Sequence, residues 1–261
     1  MATDELLFHK DGKQAWITFN RPKVRNAMTW AMYTRLEEVC EEIDADPDIR
    51  VAVLRGAGGQ AFVAGTDISQ FAEFASEQDP LDYEQRIDRI VGRVESLSKP
   101  TIALLEGYCV GGGVAIALAC DFRYATPDLQ FGIPIAKTLG NCLSMANFAR
   151  LVDLLGPART KEVLMLARLL GADEARTAGV VNDAFPAEAI ESEVRAVANT
   201  LTGLAPLTLR ATKEALRRIQ AHRRTPPEDG EDLILSCYMS EDFREAVKAF
   251  TEKRRHQWLG R

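Results

Sequence analysis

Three successive glycines, Gly111, Gly112 and Gly113, stand between a β-rich run, Thr101–Leu105, and an apolar, alanine-rich segment, Val114–Cys120. Glycines at a strand-to-helix junction let the backbone approach a neighbour or a ligand closely, because no Cβ stands in the way. The first N–H groups of the helix that follows have no internal partner and carry the positive end of its dipole. Such a turn is a ready donor site for an oxyanion or a phosphate.

The remaining chain has the length and the apolar content to build a large core around this turn. It has 261 residues, 46% of them hydrophobic, which allows one large domain or one domain with a smaller appendage. The formal net charge of −6 argues against general nucleic-acid affinity. The five cysteines, Cys40, Cys109, Cys120, Cys142 and Cys237, are scattered without metal-type spacing and read as reduced thiols of a cytoplasmic protein. No metal site is expected. The start, Met1–Glu5, lacks an apolar signal core, and no apolar run approaches the roughly 20 residues of a membrane span.

Strand and helix patterns alternate over the first three-quarters of the chain. Gln14–Asn20 alternates like a strand, and Thr29 is placed to cap a helix with Tyr33, Leu36, Val39, Cys40 and Ile43 on one face. Ile49–Arg55 is a second strand, and Ala61–Ile68 a short apolar run ending near a glycine. Leu81–Leu97 has helical spacing at Ile87, Ile90, Val94 and Leu97. Strands are expected again at Asp121–Ala125, Leu129–Gly132 and Val180–Phe185, with a helix starting at Gly156-Pro157 and running to Leu170. From Pro206 onward the pattern is helical throughout, with Ser240 as a further N-cap. This order predicts an α/β fold with parallel strands and an all-helical tail.

Two segments together resemble the crotonase superfamily, the enoyl-CoA hydratase/isomerase group. They are Ala61-Phe-Val-Ala-Gly-Thr-Asp-Ile68 and Gly107-Tyr-Cys-Val-Gly-Gly-Gly-Val114, roughly 45 residues apart. Asn20–Ala27, Ala119–Ala125, Phe131-Gly-Ile-Pro134 and Ala249–Arg254 extend the likeness over nearly the whole chain. The resemblance implies a spiral of ββα units over residues 1–195 and a C-terminal helical region over 196–261 that packs between subunits of a trimer or a hexamer. It implies an acyl-CoA substrate, with coenzyme A as part of that substrate and no separate cofactor. It also implies an oxyanion hole made by the main-chain N–H groups of Thr66 and Gly112. For the CoA portion it points to Lys23, Val24, Arg25, Ala64, Asp67, Ile68, Phe250 and Lys253, the basic ones suited to phosphate.

The chain departs from the family where water would be activated. A hydratase of this group carries one glutamate three residues after the middle glycine and another just after Phe-Gly-x-Pro. Ala115 and Ile135 stand there, and neither moves a proton. Asn141 and Cys142 beside Gly140 are the substitutes at hand, one for orienting by hydrogen bonds, the other as a thiol acid, base or nucleophile, unless Cys142 is a small buried apolar residue. Tyr238 is expected as an aromatic wall of the acyl pocket. Two readings follow: an enzyme that stabilises a thioester enolate, or a non-catalytic homologue that binds acyl-CoA.

Overall fold

The computed structural model describes residues 4–261; the first three residues of the acidic start lie outside it. Among the described residues, nine strands fall into two sheets. β1 (Leu6–Asp11), β2 (Gln14–Phe19), β3 (Val51–Gly56), β5 (Thr101–Leu105), β7 (Phe122–Ala125) and β9 (Asp183–Ala184) form a six-stranded sheet in that order. β4 (Ala61–Ala64), β6 (Tyr108–Val110) and β8 (Gln130–Gly132) form a three-stranded sheet. Only β1 and β2 pair antiparallel; every other pair is parallel. The chain therefore lays a strand in the large sheet, then one in the small sheet, then a helix, and repeats. This is the expected spiral of ββα units.

The helices follow in order: α1 (Trp30–Ala45), α2 (Gln78–Glu95), α3 (Gly112–Ala119), α4 (Ile135–Thr138), α5 (Met145–Met165), α6 (Ala172–Thr177), α7 (Ile190–Gly203), α8 (Pro206–Ala221), α9 (Glu231–Tyr238) and α10 (Glu241–Thr251). Thr29 caps α1 as expected, its side chain accepting from Met32 N at 3.3 Å, and Ser240 caps α10 by accepting from Phe243 N at 3.0 Å. The predicted apolar face of α1 is buried in full. The main core lies between the large sheet, α1, α2 and α3, while α7 covers the opposite face of that sheet with Ile190, Val194, Ala198 and Leu201 against Trp16, Val51, Val53, Ile102 and Leu104.

The sequence pattern gives no sign of one strand, and two local expectations need correcting. Strand β1 carries no buried alternation, only Leu6 being fully buried, so its sequence lacks the period that betrays a strand; its edge position explains this. The helix expected to begin at Gly156-Pro157 is the second half of α5, which starts at Met145 and kinks at Gly156, where φ is 68°. That helix also stops at Met165 and not at Leu170, which instead exchanges backbone hydrogen bonds with Phe131 at 2.8 and 2.9 Å.

The glycine turn is bound to the small sheet by close approach. A Cβ on Gly113 would stand 2.2 Å from Val63 O and 2.9 Å from Val63 Cβ, so α3 rests directly on the backbone of β4. Gly113→Ala is therefore expected to lower the free energy of unfolding by about 1–3 kcal/mol. Urea denaturation measures this, and a variant as stable as the parent would mean that α3 and β4 can part without cost.

Candidate functional site

Two glycine turns meet at the floor of a cleft of about 660 Å³. Gly65 and Gly111 both have positive φ, 89° and 56°, which a residue with a side chain adopts only under strain. The two turns touch: a Cβ on Gly111 would lie 3.2 Å from Gly65 Cα, and one on Gly65 would lie 3.9 Å from Gly112 N. On one side, Thr66 forms a parallel bridge with Met28 that uses Gly65 O and Asp67 N, at 2.9 Å each. In a parallel bridge those neighbouring groups carry the bonds, so Thr66 N–H faces the other way. On the other side, Gly112 opens α3, and its N–H is one of the helix's free first donors. Gly111 is tied to the small sheet by donating to Gly132 O at 3.1 Å.

Side chains brace this floor from behind. Thr66 Oγ1 hydrogen-bonds the Tyr33 hydroxyl at 2.9 Å and the Tyr83 hydroxyl at 3.0 Å. The Tyr33 hydroxyl also packs against Gly112, where a Cβ would stand 2.7 Å from it. Burial raises both phenols above their ordinary values, so they serve as neutral hydrogen-bonding groups.

Most of the residues singled out in the sequence gather on this cleft. Lys23, Val24 and Arg25 line its mouth, the guanidinium of Arg25 lying 4.3 Å from the centre of the Tyr108 ring. Ala64, Thr66, Asp67, Ile68 and Gly112 line the floor, and Ala115, Ile135, Asn141 and Phe250 the walls. The Asp67 carboxylate is already engaged: it accepts from Ser69 N and Oγ and from Arg21 Nη1 at 3.0 Å. Burial works against its charge, but these bonds outweigh it and hold the group below the usual carboxylate range.

Three residues stand elsewhere. Lys253 follows α10 with a φ of 53° and is not among the cleft's lining residues. Tyr238 is buried one layer behind the wall. Cys142 does not line the cleft either: its Sγ donates to Leu143 O at 3.5 Å, and the neighbouring Cys237 thiol together with burial raises its own. A raised, bonded thiol is a poor source of thiolate, which counts against Cys142 as a nucleophile.

The sequence reading missed an acid in this cleft. Glu84 of α2 lines it and is 4% exposed. Its Oε1 accepts from the Tyr238 hydroxyl at 2.6 Å, and its Oε2 from Ser144 N at 3.2 Å. Tyr238 in turn accepts from Asn141 Nδ2 at 3.1 Å, while Asn141 Oδ1 is buried with no partner among the described residues. Burial pushes the Glu84 carboxyl up to about 8, against the lowering effect of Tyr238. One signal could have found it. Glu84 lies on the helical face of Ile87, Val91 and Val94, where a carboxyl is out of place.

Among the described residues, no three His, Cys, Asp or Glu side chains gather where they could hold a metal ion, and no helix is long and apolar enough to cross a membrane.

A two-sheet ββα spiral with a cleft floored by paired glycine turns defines a protein of the crotonase fold. The profile of the enoyl-CoA hydratase/isomerase family matches residues 11–261, and the chain belongs to that family. It is 32% identical over 256 residues to the short-chain-enoyl-CoA hydratase of Clostridium acetobutylicum, covering 98% of this chain and 97% of that one. It is 35% identical over 267 residues to the carnitinyl-CoA dehydratase of Citrobacter koseri, covering 99% and 100%. Among solved structures, a methylmalonyl-CoA decarboxylase in complex with 2-nitronate-propionyl-CoA superimposes with a TM-score of 0.90 at 26% identity, each chain covered in full.

The raised Glu84 carboxyl has a consequence for stability. A folded-state value near 8 against roughly 4.3 unfolded means that the native protein holds a proton the unfolded chain has released. Stability is then highest below the unfolded value and falls as pH rises through the window up to about 8, by at most about 1.4 kcal/mol per pH unit. Urea unfolding from pH 5 to pH 8 is expected to show this fall in the parent and a shallower one in Glu84→Gln. Parallel curves would assign the slope to other groups.

Proposed function

We propose that this protein is an acyl-CoA enzyme that stabilises a thioester enolate between the main-chain N–H groups of Thr66 and Gly112. The observation that carries this reading is the direct contact of the Gly65 and Gly111 turns on the floor of an apolar cleft. Fixed amides aimed at the oxygen on which charge develops need no reorganisation during the reaction, and one such donor commonly contributes about 2.7–4 kcal/mol. The CoA portion would run past Lys23, Val24 and Arg25 at the mouth, with Ala64, Ile68 and Phe250 giving apolar contact and Lys253 a charge near the phosphates.

The names of the relatives fit one shared intermediate. Hydration, dehydration and decarboxylation of a CoA thioester all pass through charge on the thioester oxygen. Ala115 and Ile135 do not support the two-carboxylate form of hydration. The same two residues favour the second reading, a homologue that binds acyl-CoA without turning it over.

The reading extends to assembly as a trimer, or as a hexamer of two trimers, in a cytoplasmic setting. The exposed apolar pair Leu216 and Ile219, 57% and 55% exposed and one turn apart on α8, supports an oligomer. The free thiols support a reducing compartment. Sedimentation should give the mass of three or six chains.

The decisive experiment removes one donor. Proline is tolerated at the first position of a helix and has no N–H. Gly112→Pro is made together with Tyr33→Phe, which clears the hydroxyl that a Cβ at 112 would meet, and Tyr33→Phe alone is the control. Crotonyl-CoA, a 3-enoyl-CoA and methylmalonyl-CoA are offered, following enone absorbance and CO2 release. Turnover by the control that drops ~100- to 1,000-fold in the double variant is expected. Binding of these thioesters with no turnover by the parent protein would establish the non-catalytic reading instead.

A further inference from the structure

We infer that Glu84 is the group that moves protons to and from the acyl chain, taking over from a different helix the work of the two missing acids. This rests on the enolate reading above and goes beyond it by naming the proton carrier. Three observations converge. Glu84 lines the same cleft as Thr66, Gly112, Ala115 and Ile135. Its neighbour on α2, Tyr83, hydrogen-bonds Thr66 Oγ1 at 3.0 Å, so the acid is anchored one residue away from a brace of the donor turn. Its orientation is set by two donors, Tyr238 Oη at 2.6 Å and Ser144 N at 3.2 Å, one on each carboxyl oxygen.

Asp88 and Glu95 share the inward side of α2 and are met by Ser144, Arg150 and Arg224, whereas Glu84 alone of the three lines the cleft. Neither donor uses all of an oxygen's acceptor capacity, since each carboxyl oxygen has two lone pairs. The groups around it are Tyr83 and Asp88 on α2, Tyr33 on α1, Tyr238 on α9, and Cys142 and Ser144 on the segment before α5; the guanidinium of Arg150 on α5 faces Asp88 at 3.8 Å. Without a cation against it, Glu84 titrates near neutrality, where an acid can both give and take a proton.

The step balances without a co-reactant. The Glu84 carboxylate takes a proton from C2 of the thioester. The C–H pair becomes the enolate double bond, and the carbonyl π pair moves onto the oxygen between the two amides. Reversal returns a proton to C2, and return at C4 of an unsaturated chain shifts a double bond. Tyr238 and Asn141 are positioning residues, acting through Glu84.

The test is hydrogen–deuterium exchange at C2 of a saturated thioester in D2O, read by NMR. Butyryl-, hexanoyl- and octanoyl-CoA are compared, and the one whose bound carbonyl stretch is lowered most in the infrared is used. The carbonyl shift reports the two amides; the exchange reports Glu84. Glu84→Gln is expected to slow exchange at least ~100-fold while keeping the carbonyl shift. In the parent, exchange should rise with pH through a midpoint near 8, and Tyr238→Phe should move that midpoint upward, because the donor that favours the carboxylate is gone. Exchange in Glu84→Gln within threefold of the parent, no exchange in the parent, or an unmoved midpoint in Tyr238→Phe overturns the assignment of Glu84. An absent carbonyl shift in the parent overturns the enolate reading itself. If Glu84→Gln does not fold, the Tyr238→Phe midpoint decides.

Discussion

The contact between two glycine turns, Gly65–Thr66 and Gly111–Gly112, is the constraint on which the molecule depends. Backbones approach that closely only where neither carries a side chain and both adopt positive φ. Holding them together takes two strands in parallel register, Ala64 beside Val110, and a third strand whose Gly132 O receives Gly111 N. The small sheet is short because its task ends there. The large sheet and its helices carry the hydrophobic core, and the spiral delivers one strand of the small sheet per turn to the same place. The connectivity is thus the means by which two glycine turns far apart in sequence come into contact.

A second layer of order is polar and buried. Glu84, Asp88 and Glu95 lie along the inward side of α2, where they meet Tyr238, Ser144, Arg150 and Arg224. Burying such groups costs free energy unless every partner is supplied, and removing one partner leaves another charge exposed to a poor environment. Arg150 and Arg224 hold Glu95 ionised: burial works against its charge, but the two guanidinium groups lower it. Glu84 has no such cation and is raised instead. One helix therefore carries an acid lowered at its far end and one raised at the cleft. The difference comes from neighbours, not from residue type. The network also ties α9, the segment before α5 and the cleft wall into one unit, so the C-terminal helices contribute to the site's rigidity.

Much of the floor of the site was legible in the sequence, because backbone geometry leaves a direct trace there. A positive φ and a close approach demand glycine, so Gly65 and the run Gly111–Gly113 announce themselves. Helix caps were readable for the same reason: Thr29 and Ser240 each satisfy a specific amide. The edge strand β1 left no trace, since one buried residue in six makes no period. The kink at Gly156 was read as a helix start because Gly-Pro has the same local chemistry at a kink and at a terminus. Cys142, beside Gly140, was open to two readings, a reactive thiol at the acyl group or a small packed residue, and its Sγ hydrogen-bonds Leu143 O outside the cleft lining. Side-chain direction in an irregular loop is set by tertiary packing, which a local pattern does not encode.

Glu84 shows where reading by motif reaches its limit. Membership of a family carries over what the main chain does, because amides are supplied by the fold whatever side chains it bears. Proton transfer is different. It needs an ionisable side chain within reach of a particular carbon, and any element that lines the cleft can supply one. Looking for the acids at their usual positions finds Ala115 and Ile135 and suggests a site without chemistry. Looking instead for a carboxyl on the apolar face of a neighbouring helix finds Glu84, hydrogen-bonded, buried and free of any cation. The physical anomaly, a carboxyl where hydrophobic burial predicts an aliphatic side chain, is a more general guide to such a group than its distance along the chain from a glycine.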